Sequence, residues 1–162
     1  MTRTPWWKGT RGEWYVVVQF IIIALAVVGP RTWPGVPEWR PPFIGFGTTL
    51  GWILLCSGSI LAAAGFLGQG WNLSILPRPR NDAKLVEAGA YRLVRHPIYS
   101  GLFFALLGWA LKLHSTPAIL YSLLLFVILD IKARAEERWL LAKFPEYAVY
   151  RRRTRRLIPF IY

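Results

Sequence analysis

Four apolar segments separated by short polar stretches dominate the chain. They cover residues 14–29, 43–68, 98–113 and 116–131. A helix that crosses a bilayer needs about 20 predominantly apolar residues, so the second segment is long enough and the other three are short. A thin local bilayer, or partial burial against protein, would accommodate the short ones. The pattern predicts an all-α polytopic membrane protein with about four transmembrane helices, in a single domain over residues 1–162.

Three features of these segments leave alternatives open. The third and fourth segments form a tight hairpin around residues 114–117 and could be a re-entrant pair instead of two full spans. The first contains Ala24-Leu25-Ala26, which resembles a signal-peptidase site, but we interpret it as a retained membrane anchor. In the second, Gly47 and Gly51 have the spacing of close helix packing, although chance explains the pair equally well in a glycine-rich span.

The net charge of +12 is distributed unevenly along the chain. With four crossings, 17 of the 20 Lys and Arg residues fall on one side, which holds the N-terminus, the middle loop and the C-terminal tail. The positive-inside rule therefore predicts that both termini are cytoplasmic, in a bacterial inner membrane or another cell membrane. In a soluble protein this charge would suggest nucleic acid, but here we expect membrane lipids as partners and no nucleic acid. The arginines of residues 151–156 are predicted to lie near anionic headgroups.

Several familiar kinds of site are missing from the sequence. Cys56 is the only cysteine, and His96 and His114 lack helical ligand spacing, so no metal site is predicted. The sequence has no Gly-x-Gly-x-x-Gly motif after a strand, no Walker A loop and no nucleophile elbow. The chemistry must therefore come from other residues.

A first cluster of candidate site residues precedes the third apolar segment. Pro97 suits the first turn of a helix, where its missing N–H is tolerated. Arg95 and His96 are then predicted at the helix entrance, beside free N–H groups that favour an anion. The alternative is an interfacial Arg/His pair that anchors the helix by snorkelling.

A second cluster follows the fourth segment, in an amphipathic cytoplasmic helix. Glu136 and Glu137 share an apolar arc with Ala133, Leu140, Leu141 and Phe144, whereas Lys132, Arg138, Trp139 and Lys143 are predicted outside it. Carboxylates on a buried face need partners, so we favour a functional role, joined by nearby Asp130. A surface helix with local pairs such as Lys132–Glu136 is the alternative. Together the clusters could hold a zwitterion, with Arg95 and His96 on its carboxylate and a glutamate on its ammonium.

At these same residues the chain resembles the superfamily of isoprenylcysteine carboxyl methyltransferases and phospholipid methyltransferases, which are membrane enzymes. The resemblance covers roughly the C-terminal 95 residues. Its matching motifs are Gly70-Trp71-Asn72-Leu73, Pro77-Arg78-Pro79, residues 85–91, Arg95-His96-Pro97-x-Tyr99-x-Gly101, Glu136-Glu137-x-x-Leu140-x-x-x-Phe144, Tyr147, Tyr150 and Ile158-Pro159.

The resemblance implies S-adenosylmethionine as cofactor, bound by cytoplasmic elements within residues 70–101 and 130–162. The implied cofactor-binding residues are Leu85, Val86, Tyr91, Arg95, His96, Pro97, Ile98, Tyr99, Glu136 and Glu137. The implied catalytic residues are Glu137 and Arg134, the latter matching an arginine that holds the substrate carboxylate, with Lys132 as the choice if the register shifts. The family often has histidine at the position of Ala83 or Lys84, and its absence here puts prenylcysteine as the substrate in doubt.

The implied reaction is direct methyl transfer to a lipophilic or small acceptor at the cytoplasmic membrane face. The protein would supply positioning and exclusion of water. We expect a lipophilic acceptor to arrive through a lateral gap beside the third or fourth segment, with the tail after Phe144 closing over the site. Two other functions remain open: an NADPH-dependent membrane reductase of the sterol reductase type, whose C-terminal pattern is related, and a non-catalytic membrane accessory protein.

Overall fold

The computed structural model describes residues 12–70 and 84–162. Within these stretches the chain forms five α-helices and one short 3-10 helix, Gly89–Arg92. The α-helices are α1 (Glu13–Val28), α2 (Phe43–Gln69), α3 (Pro97–Lys112), α4 (Thr116–Lys143) and α5 (Tyr147–Arg153). The described residues form no β-strand, and Val94 and Arg155 make an isolated bridge. The all-helical prediction is confirmed, while the motif residues from Trp71 to Pro79 lie outside the described part.

Helix α4 is longer than the fourth apolar segment. The predicted span and the predicted cytoplasmic helix are one continuous helix of 28 residues. Its first turn is capped by Ser115, whose Oγ accepts a hydrogen bond from Ala118 N at 3.3 Å, and Pro117 lies in that turn. Because the helix is unbroken, Glu136 and Glu137 are held rigidly relative to the apolar part of α4.

Two of the helices are long and apolar enough to cross a bilayer. These are α2 and α4, which have 27 and 28 residues. Helices α1 and α3 are also apolar, but each has 16 residues, fewer than the roughly 20 that a straight crossing needs. Large apolar side chains cover the outer faces, among them Phe43, Phe46 and Ile60 of α2, each more than half exposed. This surface fits a membrane protein.

Glycines bring α2 and α3 into close antiparallel contact. The buried residues of α2 are Gly47, Gly51, Gly58 and Gly65. A Cβ on Gly51 would lie 2.8 Å from Gly108 O, and one on Gly65 would lie 2.8 Å from Pro97 Cγ. The Gly47–Gly51 pattern therefore packs helices, and it continues along α2 at seven-residue spacing.

The helices define two ends of the molecule. Helix α3 packs against both α2 and α4, and α1 packs on α4 through a core that includes Ile22, Leu106 and Leu125. The start of α3, the end of α4 and the C-terminal tail meet at what we call the site end. The loop of residues 29–42 and the turn of residues 113–115 form the turn end, roughly 25 Å away at 1.5 Å per residue of α3.

Candidate functional site

The site end brings the two predicted charge clusters into direct contact. Helix α3 begins at Pro97, as predicted, so Arg95 and His96 lie at its entrance. Antiparallel packing of α3 and α4 places this entrance beside Glu137. Arg95 Nε donates to Glu137 Oε1 at 2.8 Å, and both side chains are buried. A charge-assisted hydrogen bond of this length offsets part of the cost of removing both ions from water.

His96 lies between the two glutamates. Its Nδ1 is 3.4 Å from Glu136 Oε2, and its Nε2 is 3.4 Å from Glu137 Oε1. The imidazole stacks on Tyr99 with the ring planes 1° apart. Burial lowers the pKa of His96, but the hydrogen bonds and charges of the two carboxylates outweigh burial, and the net result raises that pKa above its ordinary value.

Glu136 connects the cluster to a buried lysine. Tyr99 donates its hydroxyl hydrogen to Glu136 Oε1. Lys132 is 2% exposed, its Nζ donates to Gln19 Oε1 at 3.1 Å, and it lies 4.8 Å from the centre of the Tyr99 ring. The prediction that Lys132 lies outside the buried arc is therefore wrong. A single apolar arc describes a helix that is buried on one face, whereas α4 is buried on two, against α1 and α3.

The C-terminal tail covers the entrance to α3. Backbone N–H groups of Arg95 and His96 donate to the carbonyls of Arg155 and Arg156 at 2.7 and 3.2 Å. The Arg95 guanidinium also donates to the carbonyls of Arg151 and Thr154. These bonds hold the tail across residues 94–96, so the tail covers the predicted site.

Arg156 is the least exposed arginine of the tail. Arg156 Nε is 3.3 Å from Glu137 Oε1, and Arg156 Nη1 is 3.0 Å from Asp130 Oδ1. Its side chain is 13% exposed, whereas Arg152, Arg153 and Arg155 are exposed. Arg151 also lies near Glu137, with Nε 3.7 Å from Oε2, but its side chain is 46% exposed. The prediction that the whole run faces lipid headgroups is wrong for Arg156, because buried carboxylates need a cation nearby.

Arg134 does not reach the buried cluster. Its side chain is 55% exposed, and its Nε donates to Asp130 Oδ2 at 2.7 Å. Its Nη2 donates to the Tyr162 hydroxyl, which in turn donates to Asp130 Oδ1. Arg134 therefore touches the cluster only through Asp130 and Tyr162, whereas Lys132, the choice under a shifted register, lies inside it.

A tyrosine-rich group adjoins the ion pairs. Tyr91, Tyr147 and Tyr150 form a buried cluster, against which Leu85, Val86, Leu140, Leu141 and Phe144 pack. Tyr91 donates to Gln69 Oε1 at 2.5 Å, and Tyr150 donates to the Tyr91 carbonyl at 2.7 Å. Burial, reinforced by the charge of Glu136, raises the pKa of Tyr91 to about 12. The group brings the predicted residues Leu85, Val86 and Tyr91 next to the ends of α4 and α5.

The remaining predicted residues line the junction of α2 and α3. Pro97 is fully buried and Ile98 is half-buried. Both lie within contact distance of Gly65, where an added Cβ would be 2.8 Å from Pro97 Cγ and 3.0 Å from Ile98 N. These two residues therefore seat the entrance of α3 on α2 and hold the ring of Tyr99 towards α4.

Comparison with known proteins identifies the family to which the sequence belongs. The family model for 3-oxo-5-alpha-steroid 4-dehydrogenase matches residues 52–162, which include all the side chains of the cluster except Gln19. The chain belongs to this family. The matched region contains α3, α4, α5 and most of α2, so the family resemblance is carried by the site end and the helices that build it.

The chain is also similar to individual proteins of known name. The chain is 33% identical over 149 residues to a cobalt-zinc-cadmium resistance protein of Cupriavidus metallidurans, and this match covers 91% of the chain and 62% of that protein. It is 28% identical over 149 residues to a nickel-cobalt-cadmium resistance protein of Alcaligenes xylosoxydans xylosoxydans, with 91% and 63% covered. It is 32% identical over 111 residues to the protein-S-isoprenylcysteine O-methyltransferase of Schizosaccharomyces pombe, with 66% and 47% covered.

These matches support the methyltransferase superfamily predicted from the motifs. The chain spans less than two thirds of the length of each of these relatives. Within residues 12–70 and 84–162, no three His, Cys, Asp or Glu side chains come together as a metal-binding group.

Sequence reasoning missed three contributors to the site end. Gln19 binds Lys132, Arg156 binds Glu137, and Tyr162 binds Asp130. The sequence could have indicated Gln19, because it is the one strongly polar side chain in the interior of the apolar helix α1. Arg156 is one of five arginines in six residues, and composition cannot tell which of them turns inward.

Proposed function

We propose that this chain is an integral membrane S-adenosylmethionine-dependent methyltransferase that acts at the cytoplasmic membrane face. The observation that carries the proposal is the buried contact between Arg95, His96, Glu136 and Glu137 under the C-terminal tail. These four side chains are among the residues at which the chain resembles the methyltransferases. The match to the protein-S-isoprenylcysteine O-methyltransferase of Schizosaccharomyces pombe supports the same assignment.

The residues present suit the amino-acid end of S-adenosylmethionine. That end carries a carboxylate and an ammonium group, and the cluster offers cations in Arg95 and His96 and anions in Glu136 and Glu137. These groups are paired with one another, so a zwitterion would exchange one set of ion pairs for another without leaving a charge unpaired. The Tyr147 hydroxyl is buried without a hydrogen-bond partner among the described residues, which leaves capacity for a ligand.

The chain would contribute binding, orientation and exclusion of water. When bound, S-adenosylmethionine would supply an activated methyl group that needs no enzyme nucleophile. The ion pairs would fix the amino-acid end, and Leu85, Val86 and Tyr91 would provide the adjoining apolar wall. Burial of the cluster under the tail keeps water from the reacting groups.

The acceptor in this proposal is a lipophilic or small molecule that arrives from the membrane. The outer faces of α2 and α4 are apolar, and the site end lies where α4 leaves its apolar part. If the acceptor carries a carboxylate, Lys132 is better placed than Arg134 to hold it, because Lys132 lies against Tyr99 and Arg134 is occupied by Asp130. A water-soluble acceptor would not require a membrane-embedded site.

The main alternative is an NADPH-dependent membrane reductase. The family name, 3-oxo-5-alpha-steroid 4-dehydrogenase, favours it. The two functions differ in the ligand that the site end must hold: a small zwitterion for the methyltransferase, or a dinucleotide with several phosphates for the reductase. The cluster balances cations with anions, which suits the zwitterion better than the strongly anionic dinucleotide.

Calorimetry on the full chain purified in mild detergent separates the two. We expect S-adenosylmethionine, or its demethylated product, to bind in the micromolar range, as is common for enzyme ligands. NADPH should give no heat. Glu136→Gln should weaken binding at least tenfold, while Glu146→Gln, an exposed acid on the N-terminal side of α5, should leave binding unchanged. NADPH binding without S-adenosylmethionine binding would replace the proposal with the reductase.

A second experiment identifies the acceptor. Membranes containing the chain would be incubated with S-adenosylmethionine carrying a labelled methyl group, and lipids and small molecules would be analysed by mass spectrometry. We expect label in a lipid-soluble product, and no label when the chain carries Glu136→Gln. Acceptors that differ only in acyl or prenyl length would then be compared, and equal activity of a short soluble analogue would contradict entry from the bilayer.

A further inference from the structure

The turn end contains a cavity that the proposed methyl transfer does not use. Its volume is about 210 Å³, below the roughly 300 Å³ at which sites for drug-sized ligands begin. It lies between the loop of residues 29–42, the first turn of α2 at Ile44, and the first turn of α4 at Thr116 and Pro117. It therefore suits a small group, such as the polar part of a larger molecule.

Aromatic side chains fix the walls of this cavity. Trp39 Nε1 donates to Thr116 Oγ1 at 3.2 Å, and its ring lies 5.7 Å from that of His114. His114 Nε2 is in turn 3.1 Å from Ile44 O and 3.0 Å from Thr48 Oγ1. The Trp33 ring packs edge-on against Tyr121. The loop is thus attached to both α2 and α4, and the cavity is a built feature of the fold.

Two opposite charges line the cavity without pairing. Arg31 and Glu38 are both among the residues that line it, and neither forms an ion pair with another described residue. Arg31 is positioned through its backbone, because its carbonyl accepts a hydrogen bond from the buried Ser115 Oγ at 2.8 Å. A cation and an anion on the walls of one small cavity match a ligand that carries both a phosphate and an amine.

The position of the cavity selects the source of such a ligand. Both helices that are long enough to cross a bilayer, α2 and α4, begin at its wall, so it lies at the level of one bilayer surface. Tryptophans such as Trp33 and Trp39 are typical of that level. The exposed rings of Phe43 and Phe46 continue the surface of α2 into the apolar layer, where lipid chains would lie.

We propose that this cavity binds the zwitterionic headgroup of an amine-bearing phospholipid, with Arg31 contacting the phosphate and Glu38 the ammonium group. The lipid chains lie along the first turns of α2. This inference depends on the chain lying in a bilayer and is independent of methyl transfer at the site end. The lipid bridges α2, α4 and the loop of residues 29–42, and so ties the turn end to the membrane surface.

Native mass spectrometry of the delipidated full chain tests the proposal. The probes are phosphatidylethanolamine and phosphatidylglycerol with identical acyl chains, because only the former carries an amine. Glu38→Gln should weaken binding of phosphatidylethanolamine by up to about fivefold, the size expected for one exposed charge pair, and leave phosphatidylglycerol unchanged. Arg31→Gln should weaken both lipids. Arg40→Gln, an exposed residue of the same loop that does not line the cavity, is the matched control.

Two results would overturn the assignment. Unchanged binding of phosphatidylethanolamine to Glu38→Gln, with a thermal midpoint equal to that of the unmodified chain, would remove the amine contact. Free O-phosphoethanolamine that displaces the lipid at equal concentration would mean that the cavity takes a soluble solute. If free O-phosphoethanolamine fails to compete, and the reversed variant Glu38→Lys loses phosphatidylethanolamine while keeping phosphatidylglycerol, the lipid assignment stands.

Discussion

The charged side chains at the two ends of the α3–α4 hairpin differ in burial and in pairing. At the site end, Arg95 and Glu137 are buried, Arg156 is largely covered, and each has an oppositely charged partner within 3.3 Å. At the turn end, Arg31 and Glu38 are exposed and unpaired with any described residue. A buried charge without a partner is strongly unfavourable, whereas an exposed charge remains hydrated. The site-end charges therefore support the fold, and the turn-end charges are available to a ligand.

The comparison also separates stability from binding. Removing one partner of a buried pair leaves the other charge without water or counterion, so substitutions at the site end should destabilise the protein. Substitutions of exposed, unpaired charges should change stability little and affect only what binds there. The predictions below set matched substitutions against each other on this basis, beginning with the largest expected effect.

Glu137→Ala should have the largest effect on stability. Glu137 contacts Arg95 at 2.8 Å and Arg156 at 3.3 Å, so its removal leaves the buried Arg95 guanidinium without this carboxylate and removes one of the two carboxylate partners of Arg156. We expect a loss of about 3 to 5 kcal/mol. Thermal or denaturant unfolding in detergent measures it. Glu38→Ala at the turn end should change stability by less than about 0.5 kcal/mol, and equal losses for both variants would abolish the contrast between the ends.

Arg156→Gln tests whether the tail is held by its least exposed arginine. The substitution removes a cation from both Asp130 and Glu137 and should lower stability by about 2 to 3 kcal/mol. Arg153→Gln, three residues earlier and exposed, should change stability by less than about 0.5 kcal/mol. Limited proteolysis of the tail provides a second measurement, with faster cleavage expected only for Arg156→Gln. The same behaviour of both variants would mean that the tail is not held by this contact.

The α2–α3 contact runs between the two ends, and substitution of its glycines should lower stability at either end. A Cβ at Gly65 would meet Pro97 Cγ at 2.8 Å, and one at Gly51 would meet Lys112 N at 2.7 Å. We expect Gly65→Ala and Gly51→Ala each to destabilise by about 1 to 2 kcal/mol through overpacking. Gly45→Ala in the same helix has open space around it and should stabilise by about 0.5 to 1 kcal/mol. Destabilisation by all three would indicate helix flexibility as the cause instead of close packing.

The helices and the main charge cluster could be predicted from sequence because their signals are local. The apolar segments predicted the four apolar helices α1 to α4, and Pro97 marked the start of α3. The positions of Glu136 and Glu137 on the buried side of α4 followed from helical periodicity. These features depend on a few neighbouring residues, so no knowledge of the tertiary arrangement is needed.

The partners of those residues could not be predicted because they are set by packing. Lys132 is buried since α1 covers the side of α4 that periodicity leaves open, and Gln19 becomes its partner only through that contact. Arg156 is selected from its run by the path of the tail after α5, which the bridge between Val94 and Arg155 fixes. The cavity at the turn end likewise arises from three separate segments, none of which contains a recognisable motif.

The smallest expected effect on stability comes from protonation of His96, because a change of pH alters one proton and leaves every side chain in place. The carboxylates of Glu136 and Glu137 raise the pKa of His96 in the folded protein despite its burial. In the unfolded chain the imidazole has its ordinary pKa of about 6.5, so folding favours the protonated form. The resulting stabilisation is complete below about pH 6.5 and is lost as pH rises through the raised folded-state pKa. The thermal unfolding midpoint should therefore fall over that pH interval.

His96→Gln should abolish this fall, and His114→Gln, at the turn end and remote from both glutamates, should retain it. Superimposable pH profiles for all three proteins would show that His96 gains no proton on folding, and that the neighbouring arginines balance the two glutamates without it.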